Sequence, residues 1–260
     1  MRPPATTREL SLSAFVILFS LSVWGQAAML PVNQILSRMQ SAEQNARSHA
    51  VPYSVTRQYV LSDLDPKTPD SRVSAEINFI PPFKRGYTLG RVQGSDRVGK
   101  IVRRVLDHEA EMANHADRQA ITTNNYSFAL VGSDAIAGRR CYVLRLVPKR
   151  DVPELVRGSV WVDTDDFRIR RIAGQPGKSP SWWIKDLQVT IDYGDALGAW
   201  TQLATRATAD VRWMGKQIFT SQTLDVRTPR VKAKNVPQEN VSAPPRKGQA
   251  PANSAIWVAR

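Results

Sequence analysis

CYVLRLVPKR, residues 141–150, decides the fold. Tyr142, Leu144 and Leu146 fall on one side of a period-two pattern, and Cys141, Val143, Arg145 and Val147 fall on the other. Seven strand-forming residues with a single charge, followed by a proline and two cations, read as a half-buried strand. One face of that strand must be covered by something, and the rest of the chain has to supply the cover.

The same period recurs along most of the chain. Residues 31–47 predict an amphipathic helix, opened by Pro31 and striped by Val32, Ile35, Leu36 and Met39. Three alternations follow: Tyr53, Val55, Tyr59 and Leu61, then Val73, Ala75, Ile77 and Phe79, then Phe83, Tyr87 and Leu89. A second helix is predicted from Ser95 or Asp96 through Asp117, with Val98, Ile101, Val102, Val105 and Met112 on one side. Beyond it the strands resume as YSFALVG, the opening CYVLRLV, GSVWVD, FRIRRI, LQVTIDY, WTQLATRATADVRW and IFTSQTLDV, separated by short turn signals such as IAGRR, DTDD and YGDALG. Short connections favour antiparallel neighbours. About ten strands with one apolar face and only two helices to cover it predict a mainly β (α+β) fold: a strongly curved, unclosed antiparallel barrel with the helices as lid or plug.

Both ends of the chain read differently from this middle. Residues 1–28 have the form of a cleavable export signal, with Arg2 and Arg8, an apolar block LSLSAFVILFSLSVW and the small residues of GQAA. The apolar block is shorter than the roughly 20 residues that cross a bilayer as a helix. No cysteine stands near the processing site for lipid attachment, and the lone Cys141 excludes an internal disulfide. Cys141 reads as a small buried strand residue before it reads as a reactive thiol.

Net charge is +13, and residues 229–260 hold six cations against Glu239. That Pro- and Ala-rich basic tail is expected to stay unfolded and to favour anionic surfaces. Residues 29–228 are enough for one domain, expected to be a periplasmic monomer. Nucleic acid is not an expected partner, because an exported chain without a recognition motif has no basis for it.

Catalytic constellations are missing. His108 and His115 bracket Glu111 in DHEAEMANHAD, but the second histidine falls three residues too late for a zinc-protease helix, so no metal is expected. Glu109 is odd because it falls on the apolar side at helical spacing, which an arginine partner would explain. GxSxG and phosphate-loop spacings are missing, and Asp163, Asp165 and Asp166 are accounted for by the DTDD turn. Neither an enzyme nor a cofactor is expected. Trp161, Trp182, Trp183, Trp200 and Trp213 concentrate in one stretch, either as core filling or as the lining of a cavity.

The order of leader, amphipathic helix, three strands, helix and long meander resembles the LolA-like superfamily of periplasmic proteins, which includes the outer-membrane lipoprotein carriers and RseB-type sensors. The local resemblance lies in NNYSFALVGSDAIAGRRCYVLRLVPKR (124–150) followed by GSVWVDTDDFRIRRI (158–172). It implies an unclosed barrel whose apolar cavity receives acyl chains under a helical lid. Carriers of that family use a lid-facing arginine in an early strand, where this chain has Arg57, although no motif ties Arg57 to that role.

Two functions stay open: a carrier of lipid or lipoprotein acyl chains, or an envelope sensor that binds a membrane-protein partner and moves no lipid. For the first, strand alternation nominates Tyr53, Val55, Tyr59, Ile77, Phe79, Tyr87, Leu89, Tyr142, Leu144 and Leu146 as cavity lining, and Arg57, Arg85 and Arg91 as the cavity mouth.

Overall fold

A computed structural model describes residues 29–63, 67–81, 84–113 and 115–228. The expected export signal 1–28, the basic tail 229–260 expected to favour anionic surfaces, and Phe83 lie outside the described residues. Helix α1 (Val32–Ser48) starts directly after Pro31 and is followed by β1 (Tyr53–Asp63), β2 (Ser71–Ile80) and β3 (Lys84–Leu89). Next comes α2 (Asp96–Ala113), with Ser95 Oγ accepting from the Arg97 amide at 3.3 Å. A four-residue helix, α3 (Ala116–Gln119), adds a third helix to the two expected.

Seven strands complete the described chain: β4 (Tyr126–Ile136), β5 (Arg139–Pro148), β6 (Val156–Asp163), β7 (Ile169–Pro176), β8 (Ile184–Ala196), β9 (Ala199–Val211) and β10 (Gly215–Arg227). All ten strands lie in one antiparallel sheet of order β3-β2-β1-β10-β9-β8-β7-β6-β5-β4. Hairpins account for every neighbour pair except β1 with β10, which joins the two ends of the meander. That single long-range pairing leaves β3 and β4 as the edges, and the chain passes from one edge to the other through α2. The sheet is therefore the unclosed barrel that the strand count predicts.

Register breaks curve the sheet, at Thr56/Arg57 in β1, Leu130/Gly132 in β4 and Trp161/Val162 in β6. Gly158 and Gly174 face one another across β6 and β7, and a Cβ on Gly158 would come within 2.0 Å of the Ala173 carbonyl oxygen. Only glycine allows so close an approach.

Two hydrophobic clusters fill separate halves of the concave face. Under α2, Val98, Val102 and Leu106 meet Tyr59, Leu61, Val73, Ala75 and Ile77 of β1 and β2, with Tyr87 and Leu89 of β3 against the cluster. Under α1, Ile35 and Met39 meet Tyr126, Leu144, Leu146, Val160 and Val162 of β4 to β6, with Leu155. The face of CYVLRLV that needed cover is covered by α1. Leu144 and Leu146 are fully buried, while Arg145 and Val147 on the other face are exposed.

Candidate functional site: a cavity between the two helices

Because each helix plugs its own half of the concave face, space is left where the halves meet. A cavity of about 950 Å³ opens there, near the upper end of the range for small-molecule sites. Its walls come from α1 (Leu36, Met39), β1 (Tyr53, Val55, Arg57), β2 (Ile77, Phe79), α2 (Glu109, Met112) and the later strands (Ile169, Ile172, Ile191, Tyr193, Trp200).

The sequence-derived candidates divide. Tyr53, Val55, Ile77 and Phe79 line this cavity, and so do Arg57 and Arg85. Tyr59, Tyr87 and Leu89 pack under α2 instead. Leu144 and Leu146 are sealed beneath α1, and Tyr142 lies beside them, stacked on Phe167 with ring centroids 6.3 Å apart. Arg91 is exposed beyond the end of β3 and does not line the cavity. Alternation identifies the apolar face but not the part of it that a helix will cover, and this accounts for the residues that fall elsewhere.

The residues that alternation missed come from α1, α2 and the later strands. Tyr193 and Trp200 had a signal in the aromatic concentration of that stretch, and Glu109 had one in its place on the apolar side of α2. Of the five tryptophans singled out, Trp200 lines the cavity, with Arg168 and Arg170 stacked over its ring at 5.0 and 4.5 Å. Trp182 and Trp213 are exposed.

The polar centre of the cavity is Arg57. It sits mid-strand opposite Ala75 and Thr223, and only 6% of its surface is exposed. Glu109 reaches down from α2 and lies 3.6 Å from both Arg57 Nη1 and Arg85 Nη1. These are ion pairs at long range. Arg57 Nε and Nη1 and the Tyr59 hydroxyl make no hydrogen bond of good geometry to a described residue, although Arg57 and Tyr59 lie close enough to influence one another. Burial raises the Tyr59 hydroxyl above its ordinary pKa, opposed by the Arg57 charge. Tyr193 is pushed up to about 12 by burial and then by the Glu109 charge, so its hydroxyl stays protonated and can donate. An anionic group entering among apolar walls would find cationic donors that the protein leaves unused.

Asp163, one of the turn carboxylates, is buried in a different setting. Its Oδ1 accepts from the Asp165 amide at 2.9 Å and from Arg139 at 3.1 Å, and its Oδ2 accepts from Arg139 Nε and Arg170 Nε, both at 2.9 Å. Burial alone would raise its pKa, but these donors outweigh it and hold the carboxyl at about 2. His108 lines the cavity from α2, and no group of three or more His, Cys, Asp or Glu side chains is placed to hold a metal among the described residues.

No protein-family model matches the sequence, and no curated protein matches it either. In fold the chain is similar to a DUF1329 family protein from Desulfovibrio piger, at 12% identity over 78% of this chain and 95% of that one, with a TM-score of 0.42. It is also similar to a putative outer membrane lipoprotein-sorting protein domain from Vibrio parahaemolyticus, at 14% identity over 78% and 95% of the two chains (TM-score 0.36). A LolA superfamily protein from Nitrosomonas europaea gives 12% identity over 77% and 94% (TM-score 0.35). Likeness at these scores carries no argument about function. The architecture rests on the strand order, and the function on the cavity.

Proposed function

We propose that this protein is an exported, periplasmic binding protein that shields the acyl chain of an anionic amphiphile, a lipid or lipoprotein, and does not catalyse a reaction. The observation that carries this reading is a buried arginine with unused donors beside a run of apolar wall residues in the cavity. Val55, Ile77, Phe79, Ile172 and Ile191 offer an acyl chain walls free of charge. Each methylene transferred from water gains about 0.8 kcal/mol, so a chain of about twelve would gain on the order of 10 kcal/mol before ordering costs.

Arg57, with Arg85 and the Tyr193 hydroxyl, would receive the anionic head. Glu109 neutralises Arg57 across 3.6 Å and would be displaced or shared on loading. Since Glu109 belongs to α2, the helix that joins the two sheet edges, loading would also change what holds α2 down.

Native mass spectrometry of the protein purified from its own envelope tests the proposal. Added mass matching an acylated amphiphile, and its loss from an Arg57→Met variant that still folds, is the expected result. A protein that carries no added mass and takes up no fluorescent fatty acid would overturn it.

A further inference from the structure

At the other end of β8, β9 and β10 from Trp200, the sheet ends in two loops that the cavity does not use. One is the β7–β8 connection, residues 177–183, and the other is the β9–β10 turn, residues 212–214. They are tied together, because the Arg212 amide donates to the Trp183 carbonyl at 2.9 Å. Each presents a tryptophan to solvent: Trp182 is 67% exposed and Trp213 is 79% exposed. The two rings meet edge to face at 5.6 Å, and the Arg212 guanidinium lies over both, 5.0 Å from Trp182 and 5.8 Å from Trp213. Met214 extends the patch.

Trp213 also adopts φ 67°, the left-handed region that favours glycine. A bulky residue kept at that dihedral, with its ring in water, costs folding stability twice over, which points to a use for the ring. The turn itself needs no indole there.

We propose that this tip docks on the interface of an anionic phospholipid bilayer. Indole rings with an apolar body and one donor prefer the headgroup region. Charge complementarity selects an anionic surface, since Lys178, Lys185, Arg212 and Lys216 stand on these loops and strand ends against Asp186 and Asp210. Lys185 and Lys216 both pair in register with Asp210, so one carboxylate lies between two cations. Arg212 joins the two functions of the patch, with its guanidinium against both indoles and donors to offer a phosphate. Docking by this tip would hold the protein at the membrane through strand ends opposite Trp200. The inference does not depend on what the cavity holds.

Co-sedimentation of the full chain with vesicles tests it, comparing mixed phosphatidylglycerol and phosphatidylcholine with phosphatidylcholine alone. Binding to the anionic vesicles is expected to fall at least about tenfold in Trp182→Ala/Trp213→Ala, and by roughly fivefold in Arg212→Gln. Quenching of tryptophan emission by brominated lipid should fall with it. Trp213→Gly guards against misfolding, because glycine suits the dihedral: it should melt no lower than the parent and still bind anionic vesicles more weakly. Equal vesicle affinity and equal quenching in parent and double variant would overturn the proposal and assign attachment to other parts of the chain. So would failure of the parent to bind, including the case in which the tryptophans instead mediate a dimer seen by sedimentation velocity.

Discussion

Among the described residues, two ionic clusters are each built around a buried charge, Asp163 in one and Arg57 in the other, and they differ in how that charge is met. Around Asp163, charge is matched by geometry: two arginines and the amides of its own turn saturate the carboxylate at hydrogen-bonding distance. Around Arg57, charge is balanced without being satisfied, since Glu109 stands off at 3.6 Å and donors are left over. A buried group without a bonding partner costs folding free energy. The first cluster closes a turn and holds β5, β6 and β7 together. The second lines the cavity between the two helices.

The comparison breaks if the two clusters respond alike to mutation. The largest effect is expected at Asp163→Ala, which removes the turn acceptor and leaves Arg139 and Arg170 only Asp165 and Asp166 as partners. It should cost about 3 kcal/mol in denaturant unfolding. Arg57→Met should cost far less, or raise stability, because an apolar side chain of similar length suits the cavity better than an unsatisfied cation. Equal losses in the two variants would mean that Arg57 is structural.

Acid separates the clusters in a second way. Asp163 has a folded pKa of about 2, below the ordinary carboxylate value of 3.8. Its contribution is therefore complete above pH 4 and lost as pH falls through about 2. Some 2 kcal/mol should disappear over that window in urea melts, and the loss should be much smaller in Asp163→Asn.

Glu109→Gln sharpens the contrast from the other side. Without its partner, Arg57 becomes a buried, uncompensated cation, and the empty protein should lose about 1–3 kcal/mol. An anionic amphiphile should then bind more tightly than to the parent and restore the melting temperature, which a ligand titration followed by thermal melts would show. The smallest signal is chemical. Cys141 is fully buried, and its thiol is raised by burial and then by the charge of nearby Asp163. It should stay unlabelled by thiol reagents at neutral pH until the protein unfolds, while ligand uptake at the cavity leaves that rate unchanged.

Much of this fold is legible in the chain because a strand's alternation is local. The pattern of Tyr142, Leu144 and Leu146, and that of Val55, Tyr59 and Leu61, is written in consecutive residues, so every expected strand is found in the sheet. Glu109 was legible as an anomaly: a carboxylate on the apolar side of α2 calls for a cation, and it has two. Burial of Leu144 and Leu146 was legible as well, but the cavity they were expected to line was not. Whether an inward-facing residue meets a helix or open space depends on where α1 and α2 settle, and nothing within a few residues of Leu144 encodes that. Trp200 and Trp213 make the same point, since two similar aromatic positions at the ends of β9 go to a cavity wall and to solvent.

By itself, then, the sequence determined the ten strands and the two long helices, which face of each strand is oily, and that the helices are too few to cover the sheet. Only tertiary structure decided the β1–β10 pairing, the separation of the helices over different halves, and the meeting of Arg57, Glu109, Arg85 and Tyr193 around one space. Alternation and helical stripes are set by neighbours in the chain, whereas these juxtapositions join residues up to about 170 positions apart and arise only when the sheet has curved.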